Sequence, residues 1–162
     1  MARKVFTSFH YEADNWRVSQ VKYMGKIEGN TIVSSNQWEE VKRGGDRAIQ
    51  NWIDKELSGK SCTIVFIGAQ TAGRKWINYE ITKSWNDRKG VLGIHIHNLK
   101  DRLERQSIKG QNPFNLSVNG RVLSTLVKAY DPPFIDSKDV YNHIQNNIEK
   151  WIEEAIAIRQ KY

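Results

Sequence analysis

A chain of 162 residues, 39% of them hydrophobic and 10% aromatic, suffices for one domain with a sizeable core and excludes a disordered polymer. The single cysteine, Cys62, excludes an intrachain disulfide, and no apolar run is long enough for a signal peptide or a membrane span, which predicts a cytoplasmic protein without membrane contact. The net charge of +7 is spread without a run of five basic residues, so it reads first as a solvated surface, second as a cleft for a phosphate-bearing small molecule, and last as a nucleic-acid groove. Residues 4–9 alternate apolar and polar side chains and predict a first strand. Asp14 is placed to cap a helix over residues 15–24, and residues 31–33 predict a short second strand. A polar loop is expected over residues 36–46, followed by a helix from Asp46 to Leu57 that ends at Gly59. The run Cys62, Ile64, Val65, Phe66, Ile67 predicts a strand covered on both faces. After the breakers between Gly68 and Gly73 the period changes, because Ile77, Ile81 and Trp85 recur every four residues on a helix that Gly90 is expected to close. Residues 91–97 predict a further strand, residues 98–120 a long polar segment, residues 122–130 a return to the sheet, and residues 137–159 a last helix.

Strands alternating with helices predict a three-layer α/β domain spanning residues 1–162, with a mostly parallel five-stranded sheet wound as in flavodoxin. In such sheets ligands bind at the carboxyl ends of the strands. Glu80 stands there, in a row with Trp76 and Ser84 beside the buried stripe. A ring one helical turn from a carboxylate can stack on a planar heterocycle while the carboxylate contacts a ribose; the plain alternative is a surface carboxylate paired with Lys83 or Arg74. Neither a GxGxxG fingerprint nor a P-loop occurs, and Ser8-Phe9-His10 and Gly68-Ala69 stand where a phosphoacceptor domain needs acidic residues. His95 and His97 share a strand face but have no third ligand nearby, so no metal site is expected. Cys62 reads as an inert buried thiol, and Ser34 and Ser35 as caps of backbone groups.

The segments KVFTSFHYEAD, Gly45-Asp46 ahead of a helix with Ile49, and CTIVFIG followed by RKWINYEI resemble the successive boxes of a TIR domain. The forms SFHY, WINYE and Asn112-Pro113-Phe114 look most like the TIR-like proteins of the Thoeris antiphage system, its B component. That resemblance covers nearly the whole chain. It implies cleavage of the nicotinamide–ribose bond of NAD, with NAD as substrate and no separate cofactor. It also implies a cyclic ADP-ribose-type product that diffuses to a downstream effector, and self-association. By position it makes Glu80 the catalytic glutamate and Trp76 the stacking ring, with Phe9 and His10 lining the pocket. Ser35, Asn36 and Arg43 are expected to contact substrate, Arg43 from a mobile loop over residues 38–46. The chain departs from the usual TIR pattern at His10, where an arginine is typical, near Ser35 and Asn36, where an acidic residue is typical, and at Ile77, where a cysteine is typical. A non-catalytic, self-associating TIR-type adaptor and a basic nucleic-acid-binding domain are the competing functions.

Overall fold

The run Cys62–Ile67 is buried at every position, so this strand must lie inside a sheet that is covered on both sides. The computed structural model of the chain describes residues 2–29 and 35–162, with only the backbone described for residues 35–38. The elements follow as β1 (Arg3–Ser8), α1 (Tyr11–Lys22), β2 (Ile27–Gly29), α2 (Ser35–Arg43), α3 (Gly45–Leu57), β3 (Cys62–Ile67), α4 (Lys75–Asn86) and β4 (Gly90–His95). A hairpin of β5 (Ser117–Val118) and β6 (Arg121–Val122) comes next, then β7 (Ala129–Tyr130) and the long α5 (Ser137–Lys161). The sheet has five strands in the order β2-β1-β3-β4-β7, and every pairing in it is parallel.

Alternation along β3 sorts its side chains between two layers. Cys62, Ile64 and Phe66 join Val18 and Val21 of α1 and the stripe Val140, Ile144, Ile148, Trp151 and Ile152 of α5. Val65 and Ile67 meet Ile77, Ile81 and Trp85 of α4, together with Phe114 and Leu123. A third cluster sets Phe6 of β1 against Ile49, Ile53 and Leu57 of α3. Helices therefore cover both faces, and the strand ends at Ser8 and Ile67 open on the same edge of the sheet. This is the three-layer, flavodoxin-like arrangement that the alternation of strands and helices predicts.

Several boundaries differ from the sequence pattern. Helix α1 starts at Tyr11, so Asp14 is a buried residue inside its first turn and not its N-cap. Its carboxylate pairs with Arg17 at 2.9 Å, which explains why an acidic residue tolerates burial there. The second strand is Ile27–Gly29, while residues 31–33 lie outside the described residues. Helix α2 occupies the segment expected as a polar loop. Gly90 does not close α4 but opens β4, where a Cβ would lie 2.8 Å from the Ile156 backbone nitrogen of α5. Arg88 makes the turn instead, in the left-handed region at φ 63°. Residues 122–130 divide between β6, a 3-10 turn at Leu123–Thr125 and β7, because only the last two residues reach β4. Among the described residues no helix is long and apolar enough to cross a membrane.

Candidate functional site

Where β1 ends at Ser8, the chain turns through Phe9 and His10 into α1, and the first turns of α4 stand opposite. Between them lies a cavity of about 340 Å³, lined by Phe9, His10, Glu12, Lys42, Ile53, Arg74, Lys75, Trp76 and Glu80 among others. Its position at the carboxyl ends of β1 and β3 is where a parallel sheet leaves room for a ligand.

Glu80 is buried in this cavity, 7% exposed. The Ser8 hydroxyl donates to Glu80 Oε1 at 2.6 Å. The β1–β3 register that sets Ser8 beside Val65 fixes that hydroxyl's place. Burial pushes the Glu80 carboxyl up to about 8, and the Ser8 hydrogen bond opposes part of that shift by favouring the charged form. A second anchor holds the backbone: Ser84 Oγ donates to the Glu80 carbonyl at 2.6 Å and is itself bonded to Thr63 Oγ1 at 2.7 Å. The row Trp76, Glu80, Ser84 thus faces inward, and the alternative of a surface ion pair does not hold. Lys83 pairs with Asp87 at 3.0 Å, and Arg74 Nε donates to the Gln70 carbonyl at 2.7 Å.

Trp76 is half-buried at the cavity wall, packed against the Phe6–Ile53 cluster. Its ring meets Tyr79 edge-on at 5.7 Å, and Lys75 Nζ lies 5.0 Å from its centroid. Tyr79 is held in turn by Asp54 of α3, which accepts from its hydroxyl at 2.5 Å. Phe9 and His10 also line the cavity. The His10 imidazole is held below its ordinary value, first by burial and then by the nearby Arg74 cation, so it is neutral at pH 7.

The cations at the rim differ in how they are balanced. Lys42 pairs with Glu12 at 3.4 Å and Glu39 at 3.2 Å, and Lys75 pairs with Asp46. Arg74 has no carboxylate partner among the described residues. Arg43 is exposed and does not line the cavity; its neighbour Lys42 does. The side chains of Ser35 and Asn36 lie outside the described residues.

Ser8, Lys42 and Arg74 were not expected at the site. The available signal for Ser8 was a small hydroxyl at the end of a strand whose neighbours are apolar. His95 and His97 do share a face, with ring centroids 5.8 Å apart and both Nδ1 atoms buried without a hydrogen bond. Among the described residues no group of three His, Cys, Asp or Glu could hold a metal ion. Cys62 is fully buried, and burial drives its thiol far above the ordinary range.

Two comparisons bear on this geometry. The family model for the TIR-like domain of the Thoeris protein ThsB matches residues 6–101, from the middle of β1 to just past β4. A Bacillus cereus (strain MSX-D12) protein with the provisional name cyclic ADP-D-ribose synthase ThsB1 is 37% identical over 120 residues. That alignment covers 71% of this chain and 62% of the relative, so the chain spans less than two thirds of the relative's length.

Proposed function

The chain belongs to the TIR-like domain family of Thoeris protein ThsB, and from that premise we propose that it consumes NAD, cleaving the nicotinamide–ribose bond to make a cyclic ADP-ribose-type signal in antiphage defence. The observation that carries this reading is Glu80, a buried carboxyl on the cavity floor one helical turn from Trp76. The name of the Bacillus cereus relative, a cyclic ADP-D-ribose synthase, supports it.

The residues suit the chemistry. Nicotinamide leaves with the bonding electron pair, which neutralises its pyridinium nitrogen, and the ribose C1′ becomes an oxocarbenium centre. Ionised Glu80 beside that centre stabilises the developing positive charge in a poorly hydrated site, where such an interaction is strongest. Its Oε1 is occupied by Ser8, leaving Oε2 to face the sugar. Trp76 supplies a flat apolar wall for a ring of the nucleotide. Arg74, unmatched by a carboxylate, is the cation best placed for the diphosphate, with Lys42 across the cavity as a second. Attack on C1′ by a nucleophilic atom of the same ADP-ribose, with loss of its proton, gives a cyclic product; attack by water gives ADP-ribose and a proton. The signal reaches a separate effector by diffusion, and self-association of the domain belongs to the same proposal.

Incubation of the purified protein with NAD, followed by chromatography and mass spectrometry, tests the reading. We expect free nicotinamide and a nucleotide of ADP-ribose or cyclic ADP-ribose mass. Glu80→Gln keeps the shape and removes the charge, and should lower turnover by about 100-fold or more, the usual loss when one preorganised electrostatic contact is deleted. Full activity in that variant would sink the assignment. Silence in both purified protein and lysate of phage-challenged cells would favour an adaptor.

A further inference from the structure

The first turn of α4 carries Trp76, yet no side chain caps that turn. Arg74 stands at the N-cap position without a side-chain hydrogen bond to the helix, and the turn holds no acidic residue to answer the helix dipole. Two contacts tie this end of α4 to α3. Lys75 pairs with Asp46, but both partners are exposed, and such pairs contribute little. The second contact is half-buried: the Tyr79 hydroxyl donates to Asp54 Oδ1 at 2.5 Å, and a bond to a carboxylate is the stronger kind. Burial, and then the bond to Asp54, push the Tyr79 hydroxyl up to about 12, so it remains a donor well into alkaline solution. Gln50, one turn before Asp54 on α3, lies within hydrogen-bond reach of the same hydroxyl. Three residues along the helix from Trp76, Tyr79 lies on the same side of α4. Its ring meets the indole edge-on, with centroids 5.7 Å apart and planes at 79°.

We propose that Tyr79, latched to α3 by Asp54, is a positioning residue that sets the Trp76 ring against the cavity for stacking on the nucleotide. The proposal rests on the NAD reading above and deepens it. Trp76 lines the cavity and Tyr79 does not, so Tyr79 acts on the ligand through the indole. An indole free to turn about its side-chain bonds loses that freedom when a ring stacks on it, and the loss weakens binding. The edge of Tyr79 restricts the turning beforehand. Tyr79 is fixed in its turn by the hydroxyl, since its ring cannot swing away without breaking the bond to Asp54. Helix α3 thus serves the site twice, with Ile53 in the cavity wall and Asp54, the next residue, as the latch.

The test measures binding apart from turnover, as the Kd for carbocyclic NAD, which resists cleavage, by calorimetry with thermal melts alongside. Tyr79→Phe removes the hydroxyl and keeps the ring. It should weaken binding by about 3- to 10-fold, no more than the loss of one hydrogen bond can transmit. Asp54→Ala should shift the affinity in the same direction, while Asp54→Asn, which keeps an oxygen able to accept, should restore it. In a Trp76→Ala background Tyr79→Phe should cost no further affinity, although Tm still falls. That comparison separates positioning from packing, because a purely structural residue would lower Tm in both backgrounds and affinity in neither. Unchanged affinity in Tyr79→Phe, or the same loss with and without Trp76, would overturn the proposal and leave the NAD reading standing. A wild type that does not bind carbocyclic NAD would overturn both. If Tyr79→Phe does not fold, the contrast between Asp54→Ala and Asp54→Asn decides the matter.

Discussion

Trp76 does two jobs, and substitutions can separate them. One part of its indole packs on the Phe6, Ile49 and Ile53 cluster, and the other borders the cavity. Base–aromatic stacking contributes about 1–3 kcal/mol per base, so Trp76→Ala should raise KM for NAD by about 10- to 100-fold. Trp76→Tyr keeps a ring and should recover most of that loss. A thermal melt run beside the kinetics separates the packing role, because lost packing lowers Tm in both buffer and nucleotide. An unchanged KM in Trp76→Ala would remove the ring from the binding site. The neighbouring Lys75–Asp46 pair is exposed on both sides, so it contributes little to stability.

At the scale of elements, the segment after β4 is a strap fastened across the carboxyl edge of the sheet. Arg17 of α1 donates from Nε to the Leu99 carbonyl at 2.7 Å and from Nη2 to the Arg105 carbonyl at 2.9 Å, while pairing with Asp14. The strap then crosses Gly110, where an added Cβ would stand 1.9 Å from the Gly68 carbonyl oxygen. Since that neighbour is backbone, it cannot swing aside. Gly110→Ala should therefore cost about 1–3 kcal/mol, read as a Tm drop of roughly 2–4 °C for each kcal/mol at this size. An unaltered Tm would show that the strap yields. Little of this was legible in the sequence, because residues 98–120 have no period and their order comes from contacts with Arg17 and Gly68 far away in the chain. Helix α2 was missed for a related reason: Gly44 and Gly45 read as loop, and among its described side chains Glu39, Glu40 and Arg43 are exposed while Val41 and Lys42 are half-buried. Helices α4 and α5 were legible because burial of one face imposes a period on them, and β3 and β4 because burial on both faces leaves a nearly continuous apolar run. Glu80 and Trp76 were legible as a row on α4. Ser8 and Arg74 were not, since nothing local marks a serine as the partner of a residue 72 positions away.

For the whole molecule, the buried titratable groups set opposing demands on stability. His95 is pushed down to about 4, chiefly by burial. Its folded value lies below its ordinary one, so the unfolded chain binds more protons, and its contribution is present above about pH 6.5 and lost as pH falls through about 4. His97 shifts the same way for the same cause. Glu80 runs opposite. Its folded value of about 8 exceeds the ordinary 4.5, so the folded chain binds more protons between those values, and stability declines as pH rises from about 4.5 to about 8. The site therefore costs the fold most in neutral to mildly alkaline solution, where the carboxyl must ionise without a protein cation. Removing the charge should relieve that cost. Melting curves of Glu80→Gln and wild type at pH 5, 7 and 9 should show little difference at pH 5 and a widening advantage for the variant toward pH 9. A saturating cationic nucleotide should narrow the gap by stabilising the wild type, since it supplies the counter-charge. A difference in Tm that is the same at all three pH values would mean that Glu80 is not held neutral by burial. A wild type that melts higher at pH 9 would mean that the protein itself already provides the cation.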